Sequence, residues 1–224
     1  MLSNAPGHGL DAFPAIAMPD GSVIGGGQGD DKKSTPLLWT SDDGGRTVAA
    51  VQLPPVNGMV GPMAASASTI VAVEQWAEDN GVGTWRSTDG GRSWQLTKLA
   101  TGDVKPLIKR LLQTARGWLM VGTGLDSNLF LASSSDGIAW HVLDTSKLSA
   151  REVSDATVAK SDDVVIIGEA PTDGSQFGCG AAWIGAADSL RRVDLGCDEQ
   201  PRATAALADG RVIVVGTSSV WVRA

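Results

Sequence analysis

One turn segment returns along the chain at a nearly constant spacing. The segment 41–48 reads SDDGGRTV, 87–94 reads STDGGRSW, and 134–140 reads SSDGIAW, one residue shorter. Their aspartates, Asp43, Asp89 and Asp136, are 46 and then 47 residues apart. A fixed period of this length indicates an array of similar structural units rather than one irregular domain.

Apolar, β-branched runs return at nearly the same step and predict what each unit contains. Each run follows a weaker alternating stretch and a tight turn, and four of the five end on glycine. The pattern predicts strand, tight turn, strand, variable loop, strand, Asp turn and strand. The runs are 22–26, 69–73, 118–122, 164–168 and 212–216.

Four short antiparallel strands repeated about every 45 residues are typical of propeller blades. We therefore predict an all-β chain, a single β-propeller domain over 1–224 with about five blades. A β-sandwich is the alternative, but it does not explain why the same turn chemistry returns in register. The predicted blades are 12–53, 60–99, 105–145, 151–197 and 202–224.

The repeated turn has a physical rationale. An aspartate can accept hydrogen bonds from backbone N–H groups of its own turn, and the glycines supply positive φ at low cost. We therefore expect structural roles for the three aspartates. Tryptophans also return at the period of the repeat, which indicates packing rather than ligand stacking: Trp39, Trp85, Trp183 and Trp221, with Trp94 and Trp140 after the turns.

These turns resemble the Asp box, S-x-D-x-G-x-x-W, of the BNR-repeat propellers that include sialidases, sortilins and photosystem-assembly factors. The resemblance implies architecture, and it says little about function. In the fourth unit, residues 185–192 have lost the pattern and keep only Asp188. Sialidases of this kind use a tyrosine nucleophile and an F-R-I-P segment. This chain has no tyrosine and no such segment, so we predict that it is not a sialidase.

The fifth unit is predicted to be incomplete. Trp221 matches Trp85 in register, so the unit holds three strands and no fourth before residue 224. Two interpretations stay open: a five-bladed ring with a weakly closed last blade, or a fragment of a larger propeller. Propellers of the family that the turns resemble usually have six or more blades.

Charge and hydropathy exclude some partners. The net charge is −7 and the pI is about 4.7, whereas nucleic acids need a basic face. No apolar run approaches the roughly 20 residues of a membrane span. Residues 1–11 have neither the basic nor the apolar region of a secretion signal. The chain is therefore either cytoplasmic or an exported protein whose leader is absent here.

The two cysteines, Cys179 and Cys197, favour export. They are 18 residues apart about a midpoint at residue 188, so they would lie opposite one another on the fourth hairpin. Opposed residues of an antiparallel pair lie within disulfide range. A disulfide would indicate an oxidising, extracytoplasmic compartment, and two buried thiols are the alternative. With only His8 and His141, no zinc spacing occurs, and His141 is expected to be structural.

The variable loops between the second and third strands carry the candidate binding residues. Alignment by strand ends places Glu74 and Glu169 at one ring position. Paired carboxylates could catalyse glycoside hydrolysis or hold a calcium ion, and a solvated acidic rim is the alternative. Trp76 could serve as a ligand platform, and Asp126 lies on another of these loops. No metal is required and no other cofactor is indicated.

Three functions compete at this point. The leading hypothesis is a non-catalytic, secreted or extracytoplasmic module that binds a glycan or protein ligand across these loops. The rival is a carboxylate-based glycoside hydrolase or lyase using Glu74 and Glu169. The third is a structural fragment of a larger propeller. No G-x-S-x-G, Walker A or HExxH motif favours another enzyme class.

Overall fold

The computed structural model describes residues 15–28, 35–56, 58–75, 81–172 and 178–223. Every regular element in these ranges is a β-strand, and no helix occurs among them. The strands form five antiparallel sheets, four with four strands and one with three. In each sheet neighbouring strands follow one another along the chain. The predicted all-β class with repeated short antiparallel sheets is confirmed.

The chain divides into two compact units. The first unit, Met1–Lys105 with Gly137–Ala139, holds the first two sheets. The first sheet contains β1 (Ala15–Ala17), β2 (Val23–Gln28), β3 (Pro36–Ser41) and β4 (Ala49–Val51). The second contains β5 (Met59–Ser66), β6 (Thr69–Gln75), β7 (Val82–Ser87) and β8 (Gln95–Leu99).

The second unit, Pro106–Asp136 with Trp140–Ala224, holds the other three sheets. The third sheet contains β9 (Leu107–Thr114), β10 (Gly117–Thr123), β11 (Leu129–Ser134) and β12 (His141–Val142). The fourth contains β13 (Glu152–Val158), β14 (Val164–Ala170), β15 (Cys179–Gly185) and β16 (Arg191–Gly196). The fifth contains only β17 (Pro201–Ala206), β18 (Val212–Gly216) and β19 (Val220–Arg223).

Both units bury their repeating aromatic and β-branched residues. In the first unit, Trp85 is fully buried with Ile24, Leu38 and Ile70. In the second, Trp183 is fully buried among apolar side chains of the third and fourth sheets. These tryptophans occupy matching places, since Trp85 pairs with Ala72 and Trp183 with Ile166. Burial of such large side chains supplies much of the stability of a sheet stack.

The repeated turns are closed by their own side chains. In the first turn, the Ser41 hydroxyl donates to Asp43 Oδ1 at 2.8 Å and accepts from Gly45 N–H at 2.7 Å. Asp43 Oδ1 also accepts from the N–H groups of Arg46 and Thr47, both at 2.9 Å. The backbone N–H of Thr47, followed by its hydroxyl and that of Ser41, lowers the pKa of Asp43 to about 2.

The second turn repeats this network. Ser87 donates to Asp89, which accepts from Ser93 N–H at 2.9 Å and from its hydroxyl at 2.6 Å. The Ser93 hydroxyl is the main reason why the pKa of Asp89 is held far below its usual value. In the shorter third turn, Ser134 donates to Asp136 at 3.0 Å. All three aspartates thus lie in turns between the third and fourth strands.

A β-bulge recurs in the first strand of four sheets. β5, β9, β13 and β17 each contain one extra residue relative to the second strand of their sheet, at the same register level. Bulges re-aim side chains and are common near binding sites. The residues at this level are Gly61, Lys109, Ser154 and Arg202.

Candidate functional site at the loop end

The loop end of a sheet is defined here as the end where its second strand stops and its third begins. Glu74 lies at this end of the second sheet, but it is only 3% exposed. Its Oε2 accepts from Gly83 N–H at 2.8 Å. The β6–β7 pairing ends at Val73 and Thr84, so the carboxylate bonds the next N–H along β7. Glu74 is therefore buried at this end and bonded to the next strand of its own sheet.

The expected equivalence of Glu74 and Glu169 is wrong. Glu74 pairs with Val60, and the residue at that level in the fourth sheet is Gly168, which pairs with Val153. Glu169 lies one residue further on, opposite Glu152. A one-residue shift turns a side chain to the other face of a sheet. The two carboxylates therefore belong to opposite faces of their sheets.

The glycines of the apolar runs contain the signal for this difference. Gly122, Gly168 and Gly216 occupy the level that Glu74 occupies in the second sheet. A Cβ on Gly168 would overlap the Glu152 carbonyl oxygen, so glycine is needed where the first strand approaches closely. Alignment by these glycines, instead of by strand ends, would have placed Glu74 correctly.

Several residues of the variable loops lie outside the described residues. Trp76, the proposed platform, is one of them. The others are acidic or basic residues of the same loops: Asp30, Asp31, Lys32, Lys33, Glu78, Asp79 and Asp173. The role proposed for Trp76 stays a prediction.

Two other acidic residues at the loop end, Asp126 and Glu199, are hydrogen-bonded to loop residues. Asp126 is exposed and accepts from the backbone N–H of Asn128 at 3.3 Å and from its side chain at 2.9 Å. Glu199 accepts from the Ser218 hydroxyl and, at 3.1 Å, from its N–H. The bond from the Ser218 hydroxyl is the largest cause of a lowered pKa at Glu199. Both carboxylates therefore accept hydrogen bonds from donors of the loop end itself.

Glu152 and Glu169 form a carboxylate pair at the loop end of the fourth sheet. They lie directly opposite one another on β13 and β14, with Glu152 exposed and Glu169 half-buried. Directly opposed residues have Cβ atoms about 4.5–5.5 Å apart. The sequence indicates Glu169 as a candidate but not Glu152, because the pairing of strands that brings the two together is not visible in the sequence.

Next to this pair, the bulges bring cations to the first strands. β13 lies beside β9 and β17, so their bulges place Lys109 and Arg202 to either side of Ser154. Lys109 is half-buried, and Arg202 is exposed and donates to Gln200 at 2.5 Å. The second unit thus carries charges of both signs within a few residues of its loop end.

A buried aspartate ties these three first strands together. Asp155, 5% exposed, accepts from Arg110 Nε at 2.5 Å and from Thr204 N–H at 2.9 Å. A buried carboxylate is stable only when it is paired and hydrogen-bonded in this way. The link fixes the strands that carry the bulge residues.

The two cysteines join β15 and β16 near the same end. Cys179 and Cys197 form a disulfide with Cα atoms 4.1 Å apart. Cys179 begins β15 and Cys197 follows directly after β16. The bond therefore closes the loop end of the fourth sheet, far along the strands from the turn that lacks the Asp box.

No group of three or more His, Cys, Asp or Glu side chains that could hold a metal ion occurs in the part of the chain that is described. The described residues also contain no helix long and apolar enough to cross a membrane.

Comparison with solved structures supports a β-propeller fold, although no protein-family model and no curated protein matches the sequence. A protein of unknown function from Dyadobacter fermentans matches with 16% identity and a TM-score of 0.63, over 96% of this chain and 74% of that one. The GH93 α-L-arabinofuranosidase of Fusarium graminearum, in complex with arabinobiose, has 14% identity and a TM-score of 0.60, over 95% and 76%.

YCF48 bound to a D1 peptide matches with 14% identity and a TM-score of 0.59, over 99% of this chain and 69% of that chain. The similar structures include β-propeller enzymes as well as this peptide-bound protein. At such identities the likeness concerns the fold alone. The class that emerges is an all-β, propeller-like protein with a polar loop end.

Proposed function

We propose that the chain is a five-bladed Asp-box propeller that acts outside the cytoplasm as a non-catalytic binding module. The single observation that carries the proposal is the loop end of the second unit. There Glu152 lies two residues before the bulge residue Ser154 on the same strand, and the neighbouring first strands place Lys109 and Arg202 at the same register level. Polar groups of both signs on a firmly linked scaffold suit recognition of a polar ligand, such as a glycan or a protein segment.

The non-catalytic part of the proposal rests on Glu74. A hydrolase using Glu74 and Glu169 needs two carboxylates that converge on one cleft. Glu74 is buried and bonded to Gly83, and its register turns it to the other face. The disulfide supports an extracytoplasmic location, since such bonds persist in oxidising compartments.

The experiment begins with a screen of the protein against a glycan array and a peptide library. For the ligand found, affinity is measured for Glu169→Gln, Asp126→Asn and Lys109→Ala. Loss of a charged hydrogen-bond partner is expected to cost about 1.5–3 kcal/mol, roughly ten- to a hundredfold in Kd. Thr47→Ser, in a turn of the first unit, serves as the control. Unchanged affinity in all three loop-end variants contradicts the proposed site.

A second candidate is a retaining glycoside hydrolase built on Glu152 and Glu169. Retaining enzymes hold their carboxyl groups about 5–5.5 Å apart. Glu152 and Glu169 are directly opposed, which places their Cβ atoms about 4.5–5.5 Å apart and favours this candidate. Incubation with arabino-oligosaccharides and chromatography of the products tests this. Turnover lost in both Glu152→Gln and Glu169→Gln supports hydrolysis, and no turnover in the wild type contradicts it.

A part within a longer propeller is a third candidate. Such a chain would expose an apolar flank, and Val220 and Val222 on β19 are 62% and 55% exposed. Calcium binding by the acidic variable loops is proposed as well, and several acidic residues of these loops lie outside the described residues. Calorimetric titration with calcium before and after chelation tests it.

A further inference from the structure

A concave site lies at the turn end, defined here as the end opposite the loop end. Between the third and fourth sheets, inside the second unit, there is a pocket of about 540 Å³. Pockets that take small molecules measure about 300–1,000 Å³. The residues of this pocket belong to no part of the loop-end site described above.

The pocket lies beside the turn of the fourth sheet, which lacks the Ser-x-Asp segment repeated in the first three sheets. In the first unit, Gly91 of the second Asp box packs on Ile24 of the neighbouring sheet, and a Cβ there would lie 3.1 Å from Ile24 Cδ1. The register makes Leu119 the counterpart of Ile24. Leu119 lines the pocket, and the turn of the fourth sheet that faces it contributes Ala186, Ala187 and Asp188. The pocket therefore lies at the place that corresponds to the Gly91–Ile24 contact of the first unit.

The inner part of the pocket is apolar. Trp118, Leu119 and Val164 are buried and form part of the lining, and half-buried Leu143 and Ala187 extend it. An apolar surface of this kind suits the C–H face of a ligand that is only partly polar.

The charges at the rim largely neutralise one another. Arg116 lies 3.8 Å from Asp188, and Asp163 pairs with Arg223 at 3.3 Å. Asp162 accepts from a backbone N–H, that of Ala115, at 2.8 Å. Two of the three rim carboxylates therefore have an arginine beside them, and the third is bonded to the backbone, so a strongly anionic ligand would meet no unpaired arginine.

Four other polar side chains of the lining are free to bond a ligand. Among the described residues, the hydroxyls of Ser133, Ser135 and Ser161 and the imidazole of His141 have no hydrogen-bond partner. Hydroxyl and neutral imidazole groups can both donate and accept. They suit a ligand whose own groups, such as hydroxyls, both donate and accept hydrogen bonds.

We propose that this turn-end pocket binds a neutral monosaccharide unit. A pyranose or furanose ring has one C–H face for the apolar floor and several hydroxyls for the serines, His141 and the free carboxylate oxygens. A purely apolar ligand would leave these polar groups without partners, which costs free energy. The site is additional to the loop-end site and does not depend on it.

The test uses the imidazole resonances of His141, since the chain has only two histidines and His141→Gln identifies the signal. D-glucose, D-galactose and L-arabinose are titrated separately. At least one is expected to shift the His141 resonances saturably, with a Kd on the order of 1 mM. No saturable shift for any of the three, up to about 100 times that Kd, overturns the proposal.

Two neighbouring substitutions give a matched comparison. Ser161→Trp fills the pocket from its exposed wall and is expected to weaken binding at least about tenfold. Lys160→Trp changes the same turn on the side that faces Gly210, so it is expected to leave Kd unchanged. Equal weakening by both variants overturns the pocket assignment. Glu169→Gln, which changes only the loop-end site, should leave sugar binding in the turn-end pocket unchanged. The proposal for the pocket and the proposal for the loop end can therefore fail independently.

Discussion

A single carboxylate shows how burial decides what a residue does. Glu74 lies on a strand that ends at the variable loops, where an acidic residue has the chemistry of a ligand contact. Its 3% exposure and its bond to Gly83 N–H make it a structural acceptor instead. Gly58 and Gly83 leave the room that its side chain needs, because a Cβ on either would lie within 2.8 Å of a Glu74 atom.

Glu74→Ala is therefore expected to reduce stability rather than ligand affinity. The change removes a charged acceptor and leaves a buried N–H without its partner, at a cost of about 1.5–3 kcal/mol. Urea denaturation measures the free energy of unfolding. Glu152→Gln, at an exposed position, is the control and should stay within about 0.5 kcal/mol. Equal stability of Glu74→Ala and wild type contradicts the structural role.

The turn aspartates predict the acid limb of the stability profile. The pKa of Asp43 is lowered to about 2, with the Thr47 N–H as first cause, and that of Asp89 is lowered further. Since folding favours the ionised form, this stabilisation is complete above the unfolded value of about 3.8. It is lost as the pH falls through the folded pKa, between about 4 and 2 for Asp43.

Denaturation at several pH values between 5 and 2 tests this expectation. Asp89→Asn should lose less stability over that range than the wild type, because its side chain no longer titrates. Ser93→Ala removes the first cause of the shift, so its acid limb should move to higher pH. Identical acid limbs for both variants and the wild type would count against the proposed linkage.

At the scale of elements, the third and fourth strands of the fourth sheet are held differently from those of the first three. Ser-to-Asp hydrogen bonds close the turns of the first three sheets, whereas the disulfide closes the opposite end of the β15–β16 hairpin. A covalent bond at one end compensates for a turn at the other that keeps only Asp188. The turn-end pocket lies beside this turn.

The double variant Cys179→Ser with Cys197→Ser is expected to lose about 3 kcal/mol of stability, the value for a closed loop of this size. Urea denaturation of oxidised and reduced wild type gives the matched comparison. Alkylation with and without reductant, followed by mass measurement, establishes the pairing. Two free thiols in protein exported through an oxidising compartment would sink the idea.

The sequence periodicity predicts the strands and turns because each of these elements depends on residues close together in the chain. Ser-x-Asp-Gly turns and β-branched runs act within a few residues, so they predicted all-β structure in repeated sheets. Pairing between strands is not local. The bulges at Lys109 and Arg202, the Glu152–Glu169 pair and the buried Arg110–Asp155 link depend on register, which no spacing in this chain reveals.

At the largest scale, the sheets of the second unit have two ends with different chemistry. In the second unit, the loop end carries exposed charges of both signs, while the turn end has a pocket with an apolar floor and paired charges. Folds of this kind serve many functions, since function depends on the site rather than the scaffold. The similar structures, which include an arabinose-releasing enzyme and a peptide-bound protein, illustrate this range.

The whole chain, finally, is expected to show no sialidase turnover. The sialidase mechanism that the Asp-box resemblance brings to mind requires a tyrosine nucleophile, and none of the 224 residues is a tyrosine. Arg46 and Arg92 are exposed and lie in the repeated turns at the turn end, away from the variable loops. A fluorogenic sialoside assay tests this, with an authentic sialidase as positive control. Release of the fluorophore that one point substitution in this chain abolishes would contradict the prediction, whereas release that survives every substitution marks a contaminating enzyme.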